Sequence, residues 1–305
     1  MMARWISVLF TVLVLPWPAL AGGTKLSVGY VPAGDFLPAF VAQDKGFFAA
    51  HGLDVALTRI MLASNVPAAL ISGSLDIGMA TAPGLLQAAD SGLDLVVVSG
   101  MSRLTKAPSF VSLVARRGAG IRRAADLEGR KIGVPGFNSM FDVTFRKWLI
   151  DNGVPLGKVG IVEAPFPRMR DMLASGTVDA VAVIEPFRSR ITADGTGTRV
   201  ADFLAEVNPD VPGAFWIATR GWIAGHSAVL PAFRAALAEA IALIARDRAG
   251  AEAVERHYLG VVSPVLPEFS LVVTPADLGF FADLGRQLGM LRQRPDIGHL
   301  LAAAP

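Results

Sequence analysis

Short runs of apolar and β-branched residues alternate along this chain with longer segments of helical spacing, and the alternation restarts near residue 110. That order constrains the fold more than any other feature. Repeated strand–helix–strand units cover both faces of a sheet with helices, so they specify an α/β architecture with a mostly parallel sheet. In the first series, strands are predicted over 25–30, 53–60, 76–80 and 94–99, with helices over 37–51, 66–72 and 83–90. His51-Gly52 and Gly73 supply helix stops. In the second series, strands are predicted over 110–115, 131–134, 159–163 and 179–184, with helices over 139–152 and 167–174. A strand at 215–219 follows the loop 208–213. Beyond it Phe233, Leu237, Ile241 and Ile244 recur at helical spacing, and the tail from 265 is helical in pattern. Two such units predict two lobes joined by two crossings, near 109–115 and 212–220. Residues 22–110 and 216–305 are assigned to lobe 1 and residues 111–215 to lobe 2.

The N-terminus has the pattern of an export leader. Arg4 precedes an uncharged apolar run from Trp5 to Leu15, Pro16-Trp17-Pro18 breaks any helix, and Ala19-Leu20-Ala21 is a small-x-small cleavage pattern before Gly22. The run of about eleven residues is well short of the ~20 needed to cross a bilayer, so an anchor fits poorly. A signal peptide over 1–21 and a periplasmic location are expected. The chain has no Cys, which excludes disulfides, thiol catalysis, thiolate metal sites and a lipidated Cys at the cleavage point. Losing the leader removes one Arg and brings the formal charge from +2 to +1. No basic run interleaved with aromatics appears, so nucleic-acid binding has no footprint. His51, His226, His257 and His299 show no metal-ligand spacing, and no metal or cofactor is expected.

Four blocks carry a resemblance. Val28-Gly29-Tyr30 followed by Ala42 to Val55 (AQDKGFFAAHGLDV) is the first, and Ala69 to Gly78 (ALISGSLDIG) the second. Asp126 to Val134 (DLEGRKIGV) and Leu173 to Pro186 (LASGTVDAVAVIEP) are the third and fourth. In this order they resemble the nitrate, sulfonate and thiamine-pyrimidine-precursor binding proteins. The resemblance implies a two-lobed periplasmic binding-protein fold with two hinge crossings, a ligand cleft between the lobes and delivery to an ABC permease in the inner membrane. A monomer is expected.

In open α/β sheets ligands bind beyond the carboxyl ends of strands, at loops that lead into helices. That rule selects Asp35 and Phe36 after the first strand, then Ser64, Asn65 and Thr81; in the second lobe it selects Phe137, Asn138, Ser139, Glu185 and Phe187. Ser64, Asn65, Thr81, Asn138 and Ser139 are also suited to capping helices, which gives each of them a structural alternative. Free N–H groups at such helix starts can hold a carboxylate or sulfonate without a charged side chain. Phe36, Phe137, Phe187 and Trp216 are candidate apolar walls, with core packing as the alternative for each. Asp35 and Glu185 are candidate acceptors for an amine or amidine, or else loop charges or hinge ion pairs. Arg103, Lys106 and Arg188 lie in nearby loops, where surface charge is the competing reading. The ligand is expected to be a small organic anion or a heteroaromatic, pyrimidine-like solute. No catalytic triad, carboxylate pair or metal cluster stands out, so no enzyme activity is expected. A pyrimidine-making enzyme on this fold resembles the chain less, because that branch carries a Cys-rich motif. A sensor that hands its closed form to a membrane kinase is the remaining alternative.

Overall fold

The computed structural model describes residues 23–106 and 109–301. The leader expected over 1–21 lies outside the described residues. Strands β1 (Thr24–Tyr30), β2 (Leu53–Arg59), β3 (Gly78–Ala80), β4 (Leu95–Gly100) and β5 (Ser102–Thr105) come first. A second set follows: β6 (Val111–Arg116), β7 (Lys131–Val134), β8 (Gly160–Glu163), β9 (Ala180–Ile184) and β10 (Gly197–Ala201). The chain then returns through β11 (Asp210–Pro212), β12 (Phe215–Thr219) and β13 (Glu268–Phe269). Burial explains the composition of each. β4 and β9 are buried along their whole length; β9 is continuously apolar and β4 is apolar up to Ser99, whereas β2, on a sheet edge, alternates at its start. The helix expected over 37–51 is two pieces, Leu37–Asp44 and Phe47–Ala50, because Gly46 between them sits at φ 73°, a left-handed conformation that ends a helix.

The two lobes repeat one strand order. In the first, β1 pairs in parallel with β2, Val28 bridges Ile77 just before β3, and β12 lies between β3 and β4. In the second the order is β8-β7-β9-β6-β10. The expected mostly parallel sheet holds for four of the five strands in each lobe, and one strand departs from it. β12 runs antiparallel to both β3 and β4, and β6 runs antiparallel to both β9 and β10. In each lobe the antiparallel strand is the one that has just arrived from the other lobe, so it enters its sheet against the local direction. β6 and β12 each lie wholly inside one sheet. The chain therefore changes lobes before them, along β5 and β11, which pair antiparallel with Leu104 opposite Val211.

The segment after β12 packs onto the first lobe through aromatic rings. Phe40 stacks on Tyr258 at 4.3 Å, and Phe48 stacks on Phe233 at 5.5 Å. Trp216 meets Phe233 edge-on at 5.4 Å. Such pairs add roughly 0.5–1.5 kcal/mol each beyond the area they bury. The second lobe has a separate aromatic cluster, in which Phe145 contacts Trp148 and Phe203.

Arg103, on β5, holds the connecting strands to the first lobe. It donates to Asp210 of β11 and to Asp277 of the helix Pro275–Gln287, at 2.8 Å in each case. Burial alone would push the Asp277 carboxyl up, but hydrogen bonds from Arg103 and Thr274 outweigh it and hold the group below its ordinary value. Arg103→Ala strips Asp277, a nearly buried carboxylate, of its charged partner. The variant is expected to lose about 1–3 kcal/mol in urea denaturation while keeping its far-ultraviolet spectrum.

Candidate ligand site between the lobes

The loops beyond the strand ends of both lobes meet around a small cavity of about 30 Å³, close to the room one water needs. The first lobe contributes Val31, Ala33, Asp35, Phe36, Ala63, Met79 and Thr81. The second contributes Pro135, Ser139, Phe141, Phe166 and Ile184, and Gly213 and Ala214 close it beside the second crossing. Thr81 and Ser139 also line a wider outer groove of about 790 Å³. Its rim is polar, with Ser64, Gln87, Asp90, Asn138, Glu163 and Arg292, and carries the half-exposed ring of Phe137. Cavity and groove are two parts of one cleft.

Three hydrogen bonds join the lobes here. The Met140 N–H donates to Thr81 Oγ1 at 3.1 Å, Ser64 Oγ donates to Glu163 Oε1 at 2.9 Å, and the Gly34 N–H donates to the Glu185 carbonyl at 3.3 Å. The first of these resolves the choice between capping and contact for Thr81. Thr81 occupies the cap position of the helix Ala82–Asp90, yet its side chain makes no bond to that helix; it takes up a free N–H at the start of the helix Met140–Asp151 instead. Ser139 does cap its own helix, with the Asp142 N–H donating to its hydroxyl at 3.4 Å. Asn138, at φ 59°, makes the left-handed turn before that cap, and its own N–H donates to Asp142 at 2.9 Å.

Seven of the eleven residues selected from sequence line the cleft: Asp35 and Phe36 inside, Thr81 and Ser139 at the junction, and Ser64, Phe137 and Asn138 in the groove. Asn65 is exposed beside the groove without lining it. Trp216 and Phe187 stand one layer back. Trp216 is buried edge-on behind Phe36 at 5.5 Å, and Phe187 is stacked on Phe166 at 6.3 Å, so each supports a cavity wall. The Glu185 carboxylate is turned away from the cleft. It accepts from the Ser189 N–H and hydroxyl and pairs with Arg188, and only its backbone carbonyl reaches the first lobe. Arg188 is further engaged with Ser109 and Ser112.

Glu163 and Phe166 were not selected, although the same strand-end rule points to them. They flank the loop after β8, where Glu163 accepts from both Ser64 and the Phe137 N–H. Met79 and Gly213 carried no sequence signal; proximity alone brings them in. Among the described residues no group of three or more His, Asp or Glu is placed to hold a metal ion. Nor is any described helix long and apolar enough to cross a membrane.

Asp35 dominates the electrostatics of the cavity. It sits in the turn Gly34–Phe36 directly after β1 and is 6% exposed, and its Oδ1 has no hydrogen-bond partner among the described residues. Burial, partly offset by the neighbouring Ser102 hydroxyl, pushes its carboxyl from 3.8 up to about 7. Between those values the folded protein keeps a proton that the unfolded chain releases, so stability falls as pH rises across that window. The expected loss is on the order of a few kcal/mol between about pH 5 and about pH 8. Thermal unfolding at the two pH values checks it: the midpoint should be lower at the higher pH, and Asp35→Asn should remove much of the difference. Glu255, whose carboxyl burial also raises, contributes in the same direction.

The sequence profile of the NMT1-like family matches residues 21–257. The bicarbonate transport ATP-binding protein CmpC of Synechocystis sp. is 29% identical over 235 residues, covering 72% of this chain and 35% of that protein. The bicarbonate-binding protein CmpA of Synechococcus sp. is 24% identical over 260 residues, covering 73% of this chain and 55% of that protein. The chain thus spans about half or less of the length of these curated relatives. The alkanesulfonate-binding protein SsuA of Xanthomonas axonopodis pv. citri, solved bound to MOPS, superposes with a TM-score of 0.78 at 22% identity, over 93% of this chain and 100% of that one. The likeness establishes the two-lobed fold of periplasmic binding proteins. With a family profile matched over most of its length, the chain belongs to the NMT1-like family.

Proposed function

We propose that this protein is the solute-binding component of an ABC uptake system, a periplasmic monomer that captures a small molecule between its lobes and hands it to a permease without chemical change. The observation that carries this reading is the cross-lobe bond from the Met140 N–H to Thr81, at the point where cavity and groove meet. A side chain in cap position that leaves its own helix to bond the other lobe belongs to a device that closes. In the open form the same hydroxyl and the same N–H are free to meet a ligand. A solute that touches both lobes binds the closed form better and shifts the population toward it. The bicarbonate-binding role of CmpA, the bicarbonate-transport role of CmpC and the sulfonate ligand of SsuA support the receptor reading. Small organic anions and heteroaromatic amines are the candidate solutes.

A thermal-shift screen of the mature protein against sulfonates, nitrate, bicarbonate, pyrimidines and aromatic acids tests it. A true ligand raises the melting temperature by mass action, by about 2.7 kcal/mol of added stability at a hundredfold excess over Kd. Absence of any shift across these classes overturns the reading.

Gly34 gives a test of closure. A Cβ placed there would meet Ser263 Oγ at 2.9 Å, Phe110 Cζ at 3.1 Å and the Glu185 carbonyl oxygen at 3.3 Å, and the last two belong to the second lobe. Gly34→Val should therefore prop the lobes apart. The expected result is at least roughly tenfold weaker binding, equivalent to about 1.4 kcal/mol. Ligand-induced contraction in small-angle X-ray scattering should be lost as well. Unchanged contraction would mean that the lobes close without this contact.

A further inference from the structure

We propose that Asp35 sets the sign of the ligand: as the lobes part, its carboxyl receives the N–H donor group of a solute, such as an amine or an amidine, whose body lies in the outer groove, and it rejects an oxyanion of the same shape. The proposal rests on the receptor reading above and narrows it. The carboxyl of Asp35 lines the cavity, is more than nine-tenths buried and leaves Oδ1 without a partner among the described residues. A buried acceptor of this kind is costly unless something donates to it; the Ser102 hydroxyl lies beside the carboxyl, but no group that lines the cavity donates to Oδ1. The lining holds no Arg, Lys or His. Most of it is apolar, with Val31, Met79, Ile184 and the rings of Phe36, Phe141 and Phe166 facing the same space.

The charged groups on neighbouring elements are occupied. Arg103, beside Ser102 on β5, is bonded to Asp210 and Asp277. Glu185 and Arg188 pair with each other. Tyr30 packs among Phe36, Phe40 and Tyr258, with its hydroxyl accepting from Arg59. Asp35 is thus the one titratable side chain lining the cavity, and once it ionises an oxyanion held there would face a carboxylate with no countercharge. An amidinium would supply both the missing donors and the opposite charge. The helix starts at Ala82 and Met140 do not reverse this preference. Thr81 and Ser139, which precede them, line the junction with the outer groove, so an acceptor elsewhere on the solute meets those helix ends while its N–H group meets Asp35.

The test uses two isosteric pairs, benzamidine against benzoate and acetamidine against acetate, titrated into the mature protein by calorimetry. The amidines stay cationic and the acids stay anionic from about pH 5.5 to about pH 8, so any pH dependence belongs to the protein. The expected result is that at least one amidine binds roughly tenfold or more tightly than its acid. Its affinity should rise severalfold across that range as Asp35 ionises, and Asp35→Asn should abolish both the preference and the pH dependence without lowering the melting temperature. Should Asp35→Asn not fold, the pH series on the unaltered protein decides alone. Tighter binding of the acids, amidine binding that ignores pH, or no binding of either pair overturns the proposal. If an acid binds and contracts the protein in solution scattering, the receptor reading stands while the role of Asp35 falls. If the wider solute screen is silent as well, both fall.

Discussion

The backbone hydrogen bonds of β12, laid antiparallel between β3 and β4, are what tie the two ends of this chain into one lobe. Without that ladder the helices after residue 220 would have no reason to sit against the first seventy or so residues. With it, Trp216 is delivered edge-on behind Phe36 and in front of Phe233, and the aromatic packing of Phe40 on Tyr258 follows. β6 plays the equivalent part in the second lobe, between β9 and β10. Because both inserted strands come straight from the other lobe, the two connections run side by side as β5 and β11. A paired connection of this sort is the mechanical premise of the closing receptor proposed above.

Placing the cleft at that junction fixes its chemistry. The strand ends point their loops at each other, so helix starts from both lobes converge and Thr81 can exchange its own helix for the Met140 N–H. Deeper in, the same geometry brings Phe36, Phe141 and Phe166 around Asp35, and these apolar surroundings make a carboxyl with one unpartnered oxygen the strongest electrostatic feature of the site. The outer groove differs because it stays wet. There Glu163, Ser64 and the Phe137 N–H satisfy one another, and Arg292 pairs with Asp90 at 3.0 Å.

Much of this was legible in the residues. β7 and β12 fall on the predicted positions, and most other predicted elements begin and end within a residue or two, because strong apolar periodicity is a local property. β5, β10, β11 and β13 were not anticipated. They are short, their side chains are mixed, and each owes its conformation to a partner strand far away in sequence rather than to its own pattern. The strand-end rule found Asp35, Thr81 and Ser139, and it would have found Glu163 had the loop after β8 been included. Trp216 and Phe187, expected as apolar walls of the site, prove to be the layer that holds Phe36 and Phe166 in position.

The sequence by itself determined the α/β class, the restart that makes two units, and the family, because these depend on periodicity and on short contiguous blocks. Only the tertiary structure decided which polar residues act across the cleft and which act within their own lobe. Ser139 and Thr81 are both hydroxyls at helix starts, yet one caps its own helix and the other bonds its neighbour across the gap. Asp35 and Glu185 are both carboxylates beyond strand ends, yet Glu185 has Arg188 and Ser189 within reach while Asp35 keeps one oxygen without a donor. The physical reason is common to both comparisons. What a polar side chain does is set by the hydrogen-bond partners that folding brings to it, and those partners lie in other elements, out of sight of its own sequence neighbours.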